Sequence, residues 1–366
     1  MENREMLLWL SCCCGLHRAE VRRLLKRMPD LSLLFSCSET DLLSLEIPEG
    51  LAGKLRGRAD ARREAEEASR DLRDRGIRFI LPEDPDWTAR LNDLADPPLW
   101  LYVRGNLPEN TEPTAAMIGS RNASNYGLRM AEFLSRELAR RNVGIVSGLA
   151  AGIDGAAQSA AISAGGKSYA VLGCGVNICY PRENYELFRG ILAGGHGGII
   201  SEFAPGECSA RWHFPDRNRL IAALGDCLAV VEARGPRSGS MITVGCALDL
   251  GREVFAVPGR ITDPLSRGCN GLIQSGASIL TGPDDLLDLL GLEKCGKMPP
   301  RRRGGADLTE EERKVYCLLH EEPRFVDELA EESGIAHGKL MSILLKLELE
   351  EYAVQTSEKY YAVWLR

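Results

Sequence analysis

The stretch TAAMIGSRNASNYGLRMAEFLSRELARRNVGIVSG (114–148) decides the architecture. Its ends, TAAMIG (114–119) and VGIVSG (143–148), are short and almost wholly apolar, as strands buried on both faces must be. Between them, YGLRMAEFLSRELARR (126–141) carries apolar residues at helical spacing. The alternation continues along the chain. Strands read at SYAVLG (168–173), GIISEF (198–203), CLAVVEA (227–233) and EVFAVPG (253–259), with SILTG (278–282) as an edge strand. Helices read at IDGAAQSAAISAG (153–165), FPDRNRLIAALG (214–225) and MITVGCALDLG (241–251). Strands and helices alternating in this way predict an α/β domain over 76–292, built on a doubly wound parallel sheet.

The flanks read differently. Residues 1–75 form a helical module. EVRRLLKRM (20–28) is amphipathic, SETDLLSL (38–45) is a capped short helix, and GKLRGRADARREAEEASRDLRDRG (53–76) is a long charged helix closed by Gly76. Such units resemble a SAM-like or helix-hairpin-helix module, without the Gly-x-Gly turn that would present amides to phosphate. Residues 293–307, with Pro, Gly and a three-arginine run, read as a linker. Residues 308–366 predict a winged helix: helices at 308–319 (Thr309 as cap), 324–334 and 337–351, then a two-stranded wing over 352–365 turned at Ser357–Glu358.

With 366 residues, more than one domain is expected. A chain that is 44% hydrophobic and 27% charged is not wholly disordered. No apolar run has the length of a membrane span, and MENREMLLWLSCCCGL has no convincing cleavage site, so neither a membrane partner nor a signal peptide is expected and the cytoplasm is the expected location. The 12 cysteines contain no C-x-x-C pair and read as reduced, small apolar side chains. The net charge of −7 sits in one place: 81–304 carry 23 basic and 24 acidic residues, whereas 305–366 carry 7 and 14. A neutral central domain still binds a polyanion when its basic groups converge.

Ligands of an open α/β sheet bind at the carboxyl ends of its strands. The six loops there are rich in glycine, serine and arginine. Gly119, Gly239 and their neighbours let backbone amides approach phosphate, Ser120, Ser124, Ser238 and Ser240 add hydroxyls, and Arg121, Arg211, Arg217, Arg219, Arg237, Arg260 and Arg267 add charge. Helix N-termini near Tyr126, Ile153 and Met241 add partial positive charge. The pattern is that of an anion groove. RWHFPDRNR (211–219) interleaves Trp212 and Phe214 with guanidinium groups, as single-strand binding requires. A place in the core is the alternative for Phe214, and a helix cap the alternative for Asn218 and Arg219, while Arg217 reads as a phosphate contact.

Enzyme signatures are missing. Gly119-Ser120-Arg121 departs from G-x-G-x-x-G, Gly173-Cys174-Gly175 is a lone G-x-G, and neither a Walker loop nor a G-x-S-x-G elbow occurs. His17, His196, His213, His320 and His337 have no ligand spacing, so no metal and no cofactor are expected. Asp154, Glu202 and Glu232 read as groups that cap helices and bond loop amides.

In order, GSRNASNYG, SGLAAGID, LGCGVNICYPREN, FPDRNR, SGSMIT and VPGRITDPLSRGCNGLIQSGA resemble the DNA-processing protein A (DprA/Smf) family, with DPDWTARLNDLADPPLWLYVRGN (84–106) as its leading segment. The resemblance covers roughly 75–290. It implies a Rossmann-like domain without dinucleotide chemistry. It further implies a non-enzymatic protein that binds and protects single-stranded DNA in natural transformation, helps load the RecA recombinase, and dimerises through that domain. By motif, Gly119, Ser120 and Arg121 would grip phosphate, Phe214, Arg217, Asn218 and Arg219 would join the groove, and Ser238, Gly239 and Ser240 would be neighbouring donors. A nucleotide phosphoribohydrolase of the lysine-decarboxylase-like group is the competing enzyme reading, and GPRSGSMIT lacks the glutamate that group needs. A transcription factor is suggested only by the winged helix, whose third helix ends LELEE. Duplex binding needs cations, so this unit is expected to contact protein or to cap the groove.

Overall fold

The computed structural model describes residues 2–35, 37, 55, 59–195, 197–236, 238–294, 308–320, 322–350 and 352–363. The helix expected at 38–45, the side chains of Arg237 and His196, and most of the linker fall outside these residues. The described residues up to Lys294 form one compact unit and those from Leu308 a second.

The first unit opens with α1 (Asn3–Leu8), which runs on into a π-helical turn, Trp9–Cys13. Then come α2 (Arg18–Arg27) and α3 (Ala61–Asp74), the latter followed by Gly76 at φ 64°. The sheet follows: β1 (Arg78–Ile80), β2 (Leu101–Gly105), β3 (Thr114–Ile118), α4 (Asn125–Ala139), β4 (Gly144–Ser147), α5 (Ile153–Ser163), β5 (Ser168–Val171), α6 (Tyr185–Leu192), β6 (Gly197–Ser201), α7 (His213–Leu224), β7 (Cys227–Val230), α8 (Gly239–Asp249), β8 (Glu253–Ala256), α9 (Arg267–Gln274), β9 (Ser278–Ile279) and α10 (Pro283–Leu289).

The strand order is β1-β2-β6-β5-β4-β3-β7-β8-β9. From β6 to β9 every pairing is parallel, as the apolar strands require. The order runs outward from β3 in one direction and from β7 in the other. That reversal is the switch point at which Rossmann-like sheets bind ligands. β1 and β2 extend the sheet as an antiparallel edge that the alternation does not predict. They are joined by a loop without a crossover helix, so nothing in the βα rhythm marks them. The short helices α6 and α10 lie in stretches the sequence reading assigns to no element, and α9 begins within a stretch read as a loop.

Successive residues of one strand enter opposite cores. Tyr102, Ala170 and Ile199 join Phe188 and Ile191 of α6 and the N-terminal helices on one face, whereas Val103, Val171 and Ile200 join Leu220, Ile221 and Leu224 of α7 on the other. The helical module is thus continuous with the sheet core. Ser11 meets the buried Tyr102 hydroxyl at 2.7 Å, and the Trp9 indole donates to Glu64.

A buried polar seam joins the module to α7. Arg18, 6% exposed, donates to Asp216 at 2.6 Å and pairs with Asp96 at 2.8 Å. The Arg219 guanidinium donates to Glu202 at 2.5 Å. His17 accepts the Ala19 amide at Nδ1, which leaves Nε2 to donate to Asp216 at 3.0 Å.

The second unit holds α11 (Glu310–Leu318), β10 (Arg324–Phe325), α12 (Val326–Ser333), α13 (His337–Leu349), β11 (Ala353–Ser357) and β12 (Tyr360–Val363). Thr309 caps α11 in a box with Glu312. The wing turns at Glu358–Lys359, with Lys359 at φ 65°. β10 pairs with β12, so the small sheet has three strands where the sequence suggests two.

Burial raises the Asp216 carboxyl, but donation from His17 and Arg18 outweighs it and holds the group far below the usual carboxylate range. A depressed carboxylate stabilises the fold above its unfolded value, about 3.9, and that contribution fades as pH falls towards the folded value. Asp216→Asn should therefore cost about 2–3 kcal/mol at neutral pH. In urea titrations the gap to the parent protein should narrow steadily below about pH 4.

Candidate nucleic-acid interface

The loops after β3 and β7 open at the switch point, and between them lies a cleft of about 310 Å³. Gly119, Ser120, Arg121, Asp154, Phe214, Arg217, Asn218, Arg234, Ser238, Gly239 and Ser240 line it. Three helices, α4, α5 and α8, start beside it, each with first-turn amides that have no acceptor within the helix.

The β3 loop is held from below. Glu232, 2% exposed at the end of β7, accepts the Ser124 amide at 3.0 Å and the Ser124 hydroxyl. The same hydroxyl oxygen accepts the Gly127 amide at 3.1 Å and caps α4. Ser124 is therefore committed to the loop and to its helix, away from any phosphate. Glu232 bonds a loop amide, as the sequence reading expects. Gly152, at φ 77°, lets the start of α5 close on the same loop: a Cβ there would lie 2.3 Å from the Ser120 carbonyl oxygen. The Ile153 amide donates to that oxygen at 3.2 Å. From the other side the Ser240 hydroxyl donates to Gly119 at 3.3 Å. Ser238 begins α8, and its hydroxyl has no hydrogen-bond partner.

The floor is a buried charge. Arg217 is 4% exposed and donates to the Gly148 carbonyl at 2.9 Å and to the Val171 carbonyl, at the ends of β4 and β5. A Cβ on Gly148 would meet the guanidinium at 2.5 Å. Burial pushes the Arg217 guanidinium down to about 10, opposed by Asp154, so it stays charged at neutral pH. Burial pushes the Asp154 carboxyl up, opposed by Arg217 and by the Gly148 amide that it accepts at 3.1 Å.

Above the floor, Arg121 is exposed and its guanidinium stands 4.9 Å from the ring centre of Phe214. Phe214 is half-buried beside Gly173, and Tyr180, 47% exposed, lies 5.9 Å from it. Asn218 accepts from Arg217 at 3.2 Å and its amide reaches Gly239.

Not every expected residue arrives here. Arg219 is a correction: it is 9% exposed and paired with Glu202 in the seam to the helical module, outside the cleft. Arg217 lies under the rim, not on it. Helical phase is the reason. Phe214, Arg217, Asn218 and Ile221 share the face of α7 that lines the cleft, whereas Asp216 and Arg219 are turned away. Arg211 is exposed but is not among the lining residues; its neighbour Trp212, 53% exposed, rests edge-on against His17 and His213. Arg260 and Arg267 lie outside the lining too, and Arg237 is outside the described residues.

Arg234 and Tyr180 escape the sequence reading. Arg234 shares its loop with Arg237 in EARGPRSGS, and Tyr180 precedes Pro181 in NICYPREN; aromatic and basic residues in strand-end loops were the available signal. Among the described residues no group of histidine, cysteine or acidic side chains fits a metal, and no helix is long and apolar enough to cross a membrane.

The family model described as DNA recombination-mediator protein A matches residues 78–291, and that of the DprA winged helix domain matches 299–358. A putative DNA processing protein DprA of Mycobacterium tuberculosis is 38% identical over 79% of this chain and 78% of its own length. Protein Smf of Escherichia coli is 38% identical over 74% of this chain and 73% of its own. Among solved structures, DNA processing protein A from Streptococcus pneumoniae superposes with a TM-score of 0.63 at 32% identity, over 79% of this chain and 98% of that one. DNA processing protein A from Helicobacter pylori, described for its single-stranded DNA binding mode, gives 0.51 at 28% identity, over 58% of this chain and 95% of that one. A Rossmann-like sheet with its cleft at the switch point, a C-terminal winged helix, and a family model matched to each place the chain in the DNA-processing protein A (DprA) family.

Proposed function

We propose that the cleft between the β3 and β7 loops binds single-stranded DNA without chemical change. The observation that carries this reading is the Arg121–Phe214–Tyr180 array: an exposed guanidinium on the half-buried Phe214 ring in the cleft, with the exposed Tyr180 ring 5.9 Å beyond it. Phosphate takes the guanidinium, together with the amides at Gly119–Ser120 and at the start of α8, and bases stack on the rings. Duplex DNA keeps its bases stacked inside and offers the rings nothing. Asp154, the carboxylate among the lining residues, accepts the Gly148 amide and stands against the Arg217 charge. On this reading Ser120, Arg121, Arg234, Ser238 and the backbone amides of Gly239 and Ser240 face phosphate, Phe214 and Tyr180 face bases, and Arg217 and Asn218 hold the wall.

The likeness to the Helicobacter pylori protein supports the same ligand. The wider role we infer is protection of incoming DNA and loading of the RecA recombinase during transformation in the cytoplasm, by a homodimer formed through the Rossmann-like domain. Family membership supports that role.

Three outcomes test the cleft. A length series of single-stranded oligonucleotides and matched duplexes, titrated by fluorescence anisotropy at two salt concentrations, should show tight single-strand binding that weakens steeply with salt. Equal affinity for duplex would overturn the assignment. Arg121→Ala should weaken all single-stranded sequences alike and lower the slope of log affinity against log salt by about 1. Tyr180→Ala should cost about 1–3 kcal/mol of binding while leaving that slope unchanged, because a ring carries no charge.

A further inference from the structure

The winged helix carries a surface the cleft does not use. In such units α13 is the helix that enters the major groove. Its outward face carries two bare leucines towards its end. Leu345 and Leu349 stand one turn apart and are 57% and 77% exposed, and Met341, one turn before them, is half-buried with part of its side chain against the core of the unit. The cations of α13 are spent elsewhere: Lys339 pairs with Glu311 at 2.5 Å and Lys346 with Glu312 at 2.7 Å, both on α11. Glu348 and Glu350 flank the exposed end of the stripe.

We infer that Met341, Leu345 and Leu349 form a docking stripe for a basic amphipathic helix of a partner protein. Charge selects this occupant. Residues 305–366 carry 14 acidic and 7 basic residues, so a lysine- or arginine-rimmed helix meets opposite charge while its leucines cover the stripe. A second copy would bring the same acidic rim against itself. Duplex phosphate would meet Glu348 and Glu350 beside the leucines and lysines that already face glutamates. The stripe is also short: three side chains over two turns match one helix face and not a broad interface. This inference is independent of the cleft assignment.

The test uses the full chain and a fluorescein-labelled leucine–lysine amphipathic peptide, read by anisotropy. The parent protein should bind it. Leu345→Glu with Leu349→Glu should weaken binding about tenfold or more, and Leu345→Ser with Leu349→Ser should weaken it in the same direction without added charge. Thermal unfolding followed by circular dichroism, and single-stranded DNA affinity, should be unchanged in both variants. The inference is overturned if both variants bind the peptide like the parent, or if a leucine–glutamate peptide binds as well. It is equally overturned if duplex DNA binds the parent protein and loses affinity in both variants, or if sedimentation shows a dimer that these substitutions dissolve.

Discussion

The cleft depends on a guanidinium buried at the end of a parallel sheet. Parallel strands finish with carbonyls that their ladder no longer occupies, and a water-poor interior charges heavily for leaving them so. Arg217 reaches from α7 to the carbonyls of Gly148 and Val171, at the ends of β4 and β5. Its charge is tolerable there because Asp154 stands opposite and accepts the Gly148 amide in turn. Gly148 has no side chain to keep the guanidinium away. This arrangement fixes two strand ends against one helix, and the same helix presents Phe214 one turn earlier.

α7 is consequently shared between two tasks. One face supports the cleft. The other carries Asp216 and Arg219 into the seam with Arg18, His17 and Glu202. The helical module is therefore a brace on the helix that forms one wall of the site. It shares a core with the sheet and has a strand-like partner in Tyr102, whose hydroxyl meets Ser11. The opposite wall has its own brace in Glu232, which holds the β3 loop through Ser124. Between the two braced walls Arg121 is left as an exposed cation stacked on an aromatic ring.

The winged helix follows a different logic. Its lysines are drawn onto α11 by glutamates that occupy the cap and first turn there, Glu311 and Glu312. Acidic residues suit that helix start. The consequence is an α13 whose outer face keeps leucines and loses cations. The fold that elsewhere reads duplex DNA thus presents a surface chemically closer to a helix–helix interface.

Much of this was legible from residue patterns alone. Apolar runs such as TAAMIG and VGIVSG can only be strands buried on both faces, and helices between them force parallel order and a site at the carboxyl ends. Thr309 as a cap and Gly76 as a stop are equally local facts. What lay beyond reach was anything set by contacts between distant segments. The β1–β2 edge has no helix to announce it. Arg217 and Arg219 are two residues apart and chemically identical, yet a helix turns about 100° per residue, so one supports the cleft and the other the module. Ser124 looks like a phosphate donor until Glu232, more than a hundred positions later, accepts its hydroxyl hydrogen bond. Sequence alone therefore determined which chemistry gathers at the sheet edge, because periodicity is local. Only tertiary structure decided which copies of that chemistry face the ligand, because orientation depends on what each side chain meets across the fold.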